Sequence, residues 1–444
     1  VVNRALYIFT NDLRVQDNPA LLEACSSAKE LLCVFIVDPR WFKSNRYGLL
    51  TMGHHRWRFV KQSIDELKNA LQAYGQDLMV IYDSPLSAIS RLVGIYNVSA
   101  IFRAKQTGYY ENKLWQNLQS QYPFIELKEI DSNTLFSTSE LPFHLDALPN
   151  SFTPFRKTVE KLHIQTPLKP LTQIPPPPRT GPWGNRFSEL PPLDHNAPNV
   201  TNAKTFDGGA NAANNQLNSY FEERHASSYK QTRNALDGWE SSTKFSPWLA
   251  HGCVSPKQIL SRLKQYELAQ GSNASTYWVY FELLWREYFH WLAYKYQAKL
   301  YFKNGIVGKK KLTTFYPERF QRWMTGNTPY PLVNACMHEL STTGYLSNRG
   351  RQIVASGFVN ELQLDWRYGA AYFEQVLIDY DVASNWGNWQ YIAGVGADPR
   401  GGRHFNLEKQ QQLYDPHGTY IRKWQGEVKG AAIDSVDAAD WPIS

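Results

Sequence analysis

Five short apolar runs, each followed by an amphipathic stretch, open the chain: Ala5–Thr10, Leu31–Asp38, Leu78–Asp83, Ala100–Ala104 and Phe124–Asp131. They are mostly apolar at successive positions, the pattern of strands buried on both faces, and alternate with helical patterns. This predicts an α/β unit with a parallel sheet carrying helices on both faces. Between the second and third runs, Trp57, Val60, Ile64, Leu67, Leu71 and Tyr74 recur every three or four residues, which predicts a helix with one buried stripe. Ligands on such sheets sit at the carboxyl ends of the strands, near the switch in strand order. That edge is expected to include Asn11-Asp12-Leu13-Arg14 and Gln106–Glu111. No G-x-G-x-x-G follows the first run, so a dinucleotide fold of the usual kind is not expected.

The alternation stops near residue 131. Residues 132–205 hold Pro175–Pro178, Gly181-Pro182 and Pro191-Pro192 among many Ser, Thr and Asn, and are expected to form a long surface connector. From Asp207 onward the pattern is helical. Ser246-Pro247 and Ser255-Pro256 each place a capping hydroxyl before a proline at the first helical position. Helices are expected at Thr276–Tyr296, Pro317–Thr325, Pro331–Ser341, Asn348–Glu361 and Gly369–Ile378, with Asp379–Tyr391 (DYDVASNWGNWQY) as a turn-like segment. The organisation read from this is an α/β domain over 1–131, a connector over 132–205 and an all-α domain over 206–444.

A length of 444 residues exceeds one hydrophobic core, which agrees with two domains. The 15 Trp, 26 Tyr and 22 Phe are enough to expect stacking surfaces or a cofactor besides core filling. A net charge of +7 suits a polyanion such as nucleic acid, or equally a solvated basic face. Cys25, Cys33, Cys253 and Cys336 form no C-x-x-C pair, which argues against zinc and disulfides and fits a reducing cytoplasm. No apolar run reaches membrane-spanning length and no signal-peptide pattern opens the chain.

Four constellations carry chemistry. Tyr229 with Ser242, Thr243, Lys244, Phe245 and Ser246 sets hydroxyls and an ammonium before a helix start, where a diphosphate is favoured; an ordinary hydroxyl-rich loop is the alternative. Glu282, Trp285, Arg286 and Phe289 share one helix face, with Glu282 and Arg286 either an intrahelical pair or groups used by a ligand. Arg349 and Arg351, in Asn348–Gln352, face phosphates or pair with acids, Asp379 among them, unless they simply begin a basic helix. The acids and indoles of Asp379–Tyr391 suit a charged aromatic cofactor that passes electrons, or a buried turn whose acids cap helices.

The runs Glu282–Glu287 (ELLWRE), Thr343–Gln352 (TGYLSNRGRQ) and Asp379–Tyr391 resemble, in order and separation, the signature blocks of the photolyase/cryptochrome family. FTPFRK from Phe152, YKQTR from Tyr229, KFSPW from Lys244, and the tail from GVGADP to YDPHG resemble its DASH branch, so the resemblance spans nearly the whole chain. It implies a helical domain holding FAD in a U-shaped form. Tyr229 and Ser242–Ser246 would hold the phosphates, and Glu282, Arg286, Asn348, Arg351, Asp379 and Asp381 the rest. Asn385 would lie beside flavin N5, where an amide hydrogen-bonds without adding charge against an anionic reduced flavin. The implied activity is blue-light-driven repair of cyclobutane pyrimidine dimers by electron transfer from reduced flavin, with no protein nucleophile or metal; Glu282, Asn348 and Asn385 are the implied catalytic residues.

Photolyases are an established case of base flipping. Glu282, Trp285, Asn348, Arg349, Gln352 and Tyr391 would form the DNA-binding pocket for the flipped dimer. Gln352 stands where duplex photolyases usually have methionine and Tyr391 where they have a second tryptophan, so single-stranded DNA is the expected partner, with RNA left open and a monomer expected. The rivals are a blue-light receptor without repair and a flavoprotein that does not use light. The end at Ser444, soon after Trp424, leaves little room for a long signalling tail. Trp389 and Trp366 match the first two tryptophans of the family's electron relay. The third aligns with Thr313, leaving Phe315, Tyr316, Trp323 or another exit. DASH proteins commonly carry 5,10-methenyltetrahydrofolate as an antenna, with Glu111 the candidate carboxylate here.

Overall fold

The computed structural model describes residues 1–178, 190–191, 205–310 and 313–427. The apolar runs form β1 (Val2–Phe9), β2 (Ala28–Val37), β3 (Leu78–Tyr82), β4 (Ala100–Ala104) and β5 (Glu126–Ile130). All pair in parallel, in the order β3-β2-β1-β4-β5. The crossovers carry α1 (Pro19–Ser27), α2 (His54–Gln72), α3 (Pro85–Tyr96) and α4 (Tyr109–Gln121). Side chains alternate across the pleat, so Ala5, Tyr7 and Phe9 join one core. Leu6 and Ile8 join the other, beneath Leu92 of α3 and Trp115 of α4. Both faces are covered, as the unbroken apolar runs predict, and the order reverses between β1 and β4.

The stretch after β5 is not the surface connector that its prolines suggest. It forms α5 (Phe152–Val159), and Phe136, Phe152, Phe155 and Val159 are buried. Apolar spacing there supplies a packed helix, and Pro176 O accepts from Leu31 N at 3.0 Å. Gly181-Pro182, Pro192 and the tail beyond 427 lie outside the described residues.

The remainder is helical: α6 (Ala210–Glu222), α7 (Tyr229–Thr232), α8 (Ser246–Ala250), α9 (Pro256–Gln270), α10 (Ala274–Tyr296), α11 (Pro317–Met324), α12 (Pro331–Thr343), α13 (Asn348–Ser356), α14 (Trp366–Val376), α15 (Val382–Ala393), α16 (Leu407–Tyr414) and α17 (Thr419–Lys423). Ser255 caps α9 in a capping box with Gln258. Ser246 does not cap α8; its hydroxyl is used elsewhere, on Asp379. The expected turn at Asp379–Tyr391 is also corrected, since Asp381 N-caps α15 and Trp386, Trp389, Ile392 and Ala393 form a buried helical stripe. Gly387 is tolerated there because Phe289 packs on it, where an added Cβ would lie 2.4 Å from the ring.

The two halves are tied through the loop after β1. Arg14, fully buried, donates to the carbonyls of Asp17, Ser132 and Gly252 and to Asn133 Oδ1. Gly252 has φ +67°, and a Cβ on it would lie 2.0 Å from Asn11 O, so this approach requires glycine. Asp12 takes hydrogen bonds from Tyr7, Thr10 and Asn18. Asp12 and Arg14, expected on a ligand edge, are therefore structural groups.

Candidate functional site

Helix α10 is the spine of the site. Glu282, Arg286 and His290 recur every four residues on one face, with Trp285 beside them. Glu282 and Arg286 do not pair with each other. Glu282 pairs with Arg233, just after α7. Arg286 donates to Asn133 O at 2.6 Å and Leu249 O at 3.4 Å.

His290 Nδ1 is buried without a partner among the described residues, so the ring is assigned as the Nε2–H tautomer, donating to Asp381 Oδ2 at 3.2 Å. Burial pushes the His290 pKa down, leaving a neutral imidazole at pH 7. Asp381 Oδ1 accepts from Ser384 N at 2.7 Å, the α15 cap. Burial opposes its ionisation, but His290, Arg286 and the Ser384 N–H outweigh it and hold Asp381 below the usual carboxylate range.

Asp379 Oδ2 accepts from Arg351 at 2.7 Å, the pair expected from the sequence, and from Ser246 Oγ at 2.6 Å. Its Oδ1 is buried with no partner among the described residues. Such an orphan costs about 1–3 kcal/mol, so the position suits a ligand hydroxyl or N–H. Asn385 Nδ2 donates to Ala370 O at 3.0 Å, which fixes its amide. Lys244 adopts φ +57°, uncommon for a side-chain-bearing residue. Its ammonium lies 4.9 Å from the Tyr345 ring, which the Arg351 guanidinium also faces at 5.3 Å. Tyr229 and Phe245 are buried, while Ser242 and Thr243 remain partly accessible. Ser246 thus bonds Asp379 directly, and Lys244 shares the Tyr345 ring with Arg351, the partner of Asp379.

A second cluster surrounds Trp285. Phe152 of α5 stacks on it at 3.8 Å and 11°, and Tyr391 of α15 meets it edge-on at 5.9 Å and 82°. The Tyr391 hydroxyl accepts from Arg403, which pairs with Asp398 at 3.1 Å. Arg349 donates to Asn234 Oδ1 at 3.1 Å and lies 4.8 Å over Tyr414. Asn348 is exposed and Gln352 partly so.

Trp389 is enclosed by Phe373, Phe358 and Trp323 at 5.1, 5.6 and 6.1 Å. Trp366 meets Trp386 instead, at 5.8 Å, so Trp389 and Trp366 are not in ring contact. Of the aromatics considered in place of Thr313, Trp323 touches Trp389, whereas Phe315 stacks on Tyr368 at 3.9 Å.

A cleft of about 590 Å³ runs from Asp381 to the carboxyl ends of β1 and β2. Asn11, Gln106 and Glu111 line it, at the switch point where a ligand edge is expected. Glu111 is reached by water through the cleft, yet the surrounding protein raises its pKa against the pull of Arg103 and Arg40. Burial pushes Glu374, on the same wall, up to about 7. Sequence reasoning missed roles for Phe152, Arg233, His290, Glu374 and Arg403. Only His290 had a local signal, its four-residue spacing after Glu282 and Arg286.

Residues 5–178 match the family model described as DNA photolyase, and residues 278–442 match the FAD binding domain of DNA photolyase. A relative named Cryptochrome DASH from Idiomarina loihiensis is 51% identical over 438 residues, covering 99% of this chain and 96% of its own. The crystal structure of a Synechocystis sp. cryptochrome is similar with TM-score 0.86 and 40% identity, covering 96% of this chain and 89% of that one. An archaeal photolyase from Sulfolobus tokodaii, whose structure holds two FAD molecules, is similar with TM-score 0.73 and 26% identity, over 97% of this chain and 91% of that one.

Proposed function

The chain belongs to the DASH cryptochromes of the photolyase/cryptochrome family and carries the FAD-binding domain of DNA photolyases; from this we propose that it repairs cyclobutane pyrimidine dimers in single-stranded DNA, driven by blue light. The observation that carries the proposal is the meeting of Trp285 on α10 with Tyr391 in the last turn of α15, two helices that also meet where His290 holds Asp381 at the start of α15. An aromatic corner next to a cofactor cradle suits electron donation to a stacked base.

The cradle fits FAD. Asp379 offers a buried oxygen without a partner among the described residues, with Arg351 and Ser246 on its other oxygen; Arg286, Asn348 and Asp381 would supply further polar groups, and Tyr229 and Ser242–Ser246 would hold the phosphates. Bound there, FAD supplies the light-absorbing electron donor. The protein's own groups position and exclude. Asn385 presents a neutral amide fixed by Ala370. Glu282 and Asn348 face the ring edges of the substrate, the carboxylate accepting an imide N–H. Trp285 and Tyr391 stack on it, with Gln352 on the α13 side, and Arg349 takes an adjacent phosphate. Trp389 and Trp366 are the proposed relay for recharging the flavin. Trp323, which is in ring contact with Trp389, is the proposed substitute for the third member.

The cleft at Glu111 is proposed to hold a light-harvesting antenna, methenyltetrahydrofolate, whose pterin donors suit a carboxylate. Irradiating the purified protein with an oligonucleotide carrying one thymine dimer tests the function. Dimer reversal is expected in blue light and not in darkness. Light-independent reversal, or none at all, would remove the repair reading, and the latter would favour a receptor.

A further inference from the structure

We infer that Arg233 and Asn234 are positioning residues that bracket the dimer pocket from both sides, Arg233 holding the Glu282 carboxylate and Asn234 the Arg349 guanidinium. The inference rests on the proposed reading of that pocket.

These two consecutive residues follow α7, which packs on α10. Arg233 Nη1 pairs with Glu282 Oε1 on α10, and its guanidinium lies 4.5 Å over the Trp278 ring. Asn234 Oδ1 accepts from Arg349 Nη2 on α13 at 3.1 Å. One short backbone segment thus reaches an acid and a cation on two different helices. Long side chains lose rotamer freedom when a ligand immobilises them, so holding both beforehand removes part of the cost of binding.

Charge gives a second reason. Glu282 is a carboxylate in a site for a polyanion. Burial raises its pKa and Arg233 opposes that rise in part, so the guanidinium favours the ionised acid and offsets its repulsion of phosphate. Tyr229 is the other titratable group from α7 that interacts with Glu282. Several charged groups on or next to the remaining elements against α10 bond groups other than Glu282. Arg156 of α5 and Glu160 just beyond it bond Tyr277, Glu267 of α9 bonds Thr276, His225 pairs with Glu223, Asp381 holds His290, and Arg286 faces backbone carbonyls.

The test uses FAD-loaded Arg233→Met, Arg233→Lys, Glu282→Gln and the Met/Gln double variant. Affinity is measured for a single-stranded oligonucleotide with and without one thymine dimer, across pH and salt. Arg233→Met is expected to keep its FAD and the salt slope for the undamaged strand, because its charge is committed to Glu282. Its preference for the dimer falls about tenfold or more at pH 7. That preference recovers as pH rises, because Glu282 without Arg233 ionises at higher pH. Arg233→Lys keeps the charge but loses the fork, and falls between. Glu282→Gln removes the pH dependence, and the double variant is no worse than Glu282→Gln alone.

A salt slope smaller by about 0.7 in Arg233→Met, with dimer preference intact, would make Arg233 a phosphate contact and overturn the inference. So would full dimer preference in Arg233→Met while Glu282→Gln loses it. If the wild-type protein itself shows no dimer preference, the reading of the pocket fails instead.

Discussion

Asp381 is fixed from two sides before any ligand arrives, one oxygen capping α15 and the other held by His290. Because its pKa lies below the ordinary value, the carboxylate is ionised throughout neutral pH, and what it lends to α15 is lost only as pH falls below the usual carboxylate range. Asp381→Ala and Arg286→Ala are expected to lose most of their FAD, read as the ratio of flavin to protein absorbance. The lost cap in Asp381→Ala accounts for only about 1 kcal/mol, and the melting temperature of each variant, measured alongside, separates flavin loss from unfolding. Full flavin retention in both variants would show that these residues do not hold the cofactor. The pairing of Asp379 with Arg351 was legible because one plausible acid faced a marked arginine run. Glu282 misled, since spacing along α10 reveals Arg286 but not an arginine 49 residues away.

At the scale of elements, long periodic segments were legible and short mixed ones were not. The stripe from Trp57 to Leu71 gave α2 almost to its ends. DYDVASNWGNWQY read as a turn because Gly387 and its polar neighbours masked a helical stripe that packing against Phe289 makes worthwhile. Helix α5 was hidden among prolines, yet its Phe152 is the flat support beneath Trp285. Phe152→Ala is expected to cost about 3–5 kcal/mol of stability. It should also weaken dimer binding severalfold while FAD stays bound, with Phe152→Leu milder in both. Unchanged dimer affinity in the alanine variant, measured by titration well below its melting temperature, would mean that Trp285 needs no such support.

Across the whole molecule, parallel pairing and coverage of the sheet on both faces followed from the apolar runs, but strand order and how the halves join did not, the latter because the joining groups are buried polar residues distant in sequence. Arg14 is one. Glu287 is another: it accepts from the backbone N–H of Leu135 and Phe136, and burial pushes its pKa up to about 7. The folded chain therefore keeps a proton that the unfolded chain gives up near pH 4.5. Stability from this group falls as pH rises towards 7 and is level above, a change on the order of 3 kcal/mol. The drop in Tm from pH 5 to pH 8 should shrink in Glu287→Gln; an undiminished drop would place the titration elsewhere.

The proposed single-strand preference also belongs to the whole molecule, because charge attracts single strands and duplex alike while the proposed pocket would have to extract the dimer. Extraction from duplex costs a few kcal/mol, and Tyr391 and Gln352 offer a weaker apolar grip than tryptophan and methionine. A shortfall of about 2–3 kcal/mol suppresses duplex binding by tens- to hundreds-fold. The most direct measurement compares light-driven repair of one thymine dimer in a single strand, a bubble and a fully paired duplex, at matched salt and light dose. Efficient repair is expected in the first two and little in the third. Equal repair of strand and duplex would contradict the single-strand reading and make the protein a duplex photolyase.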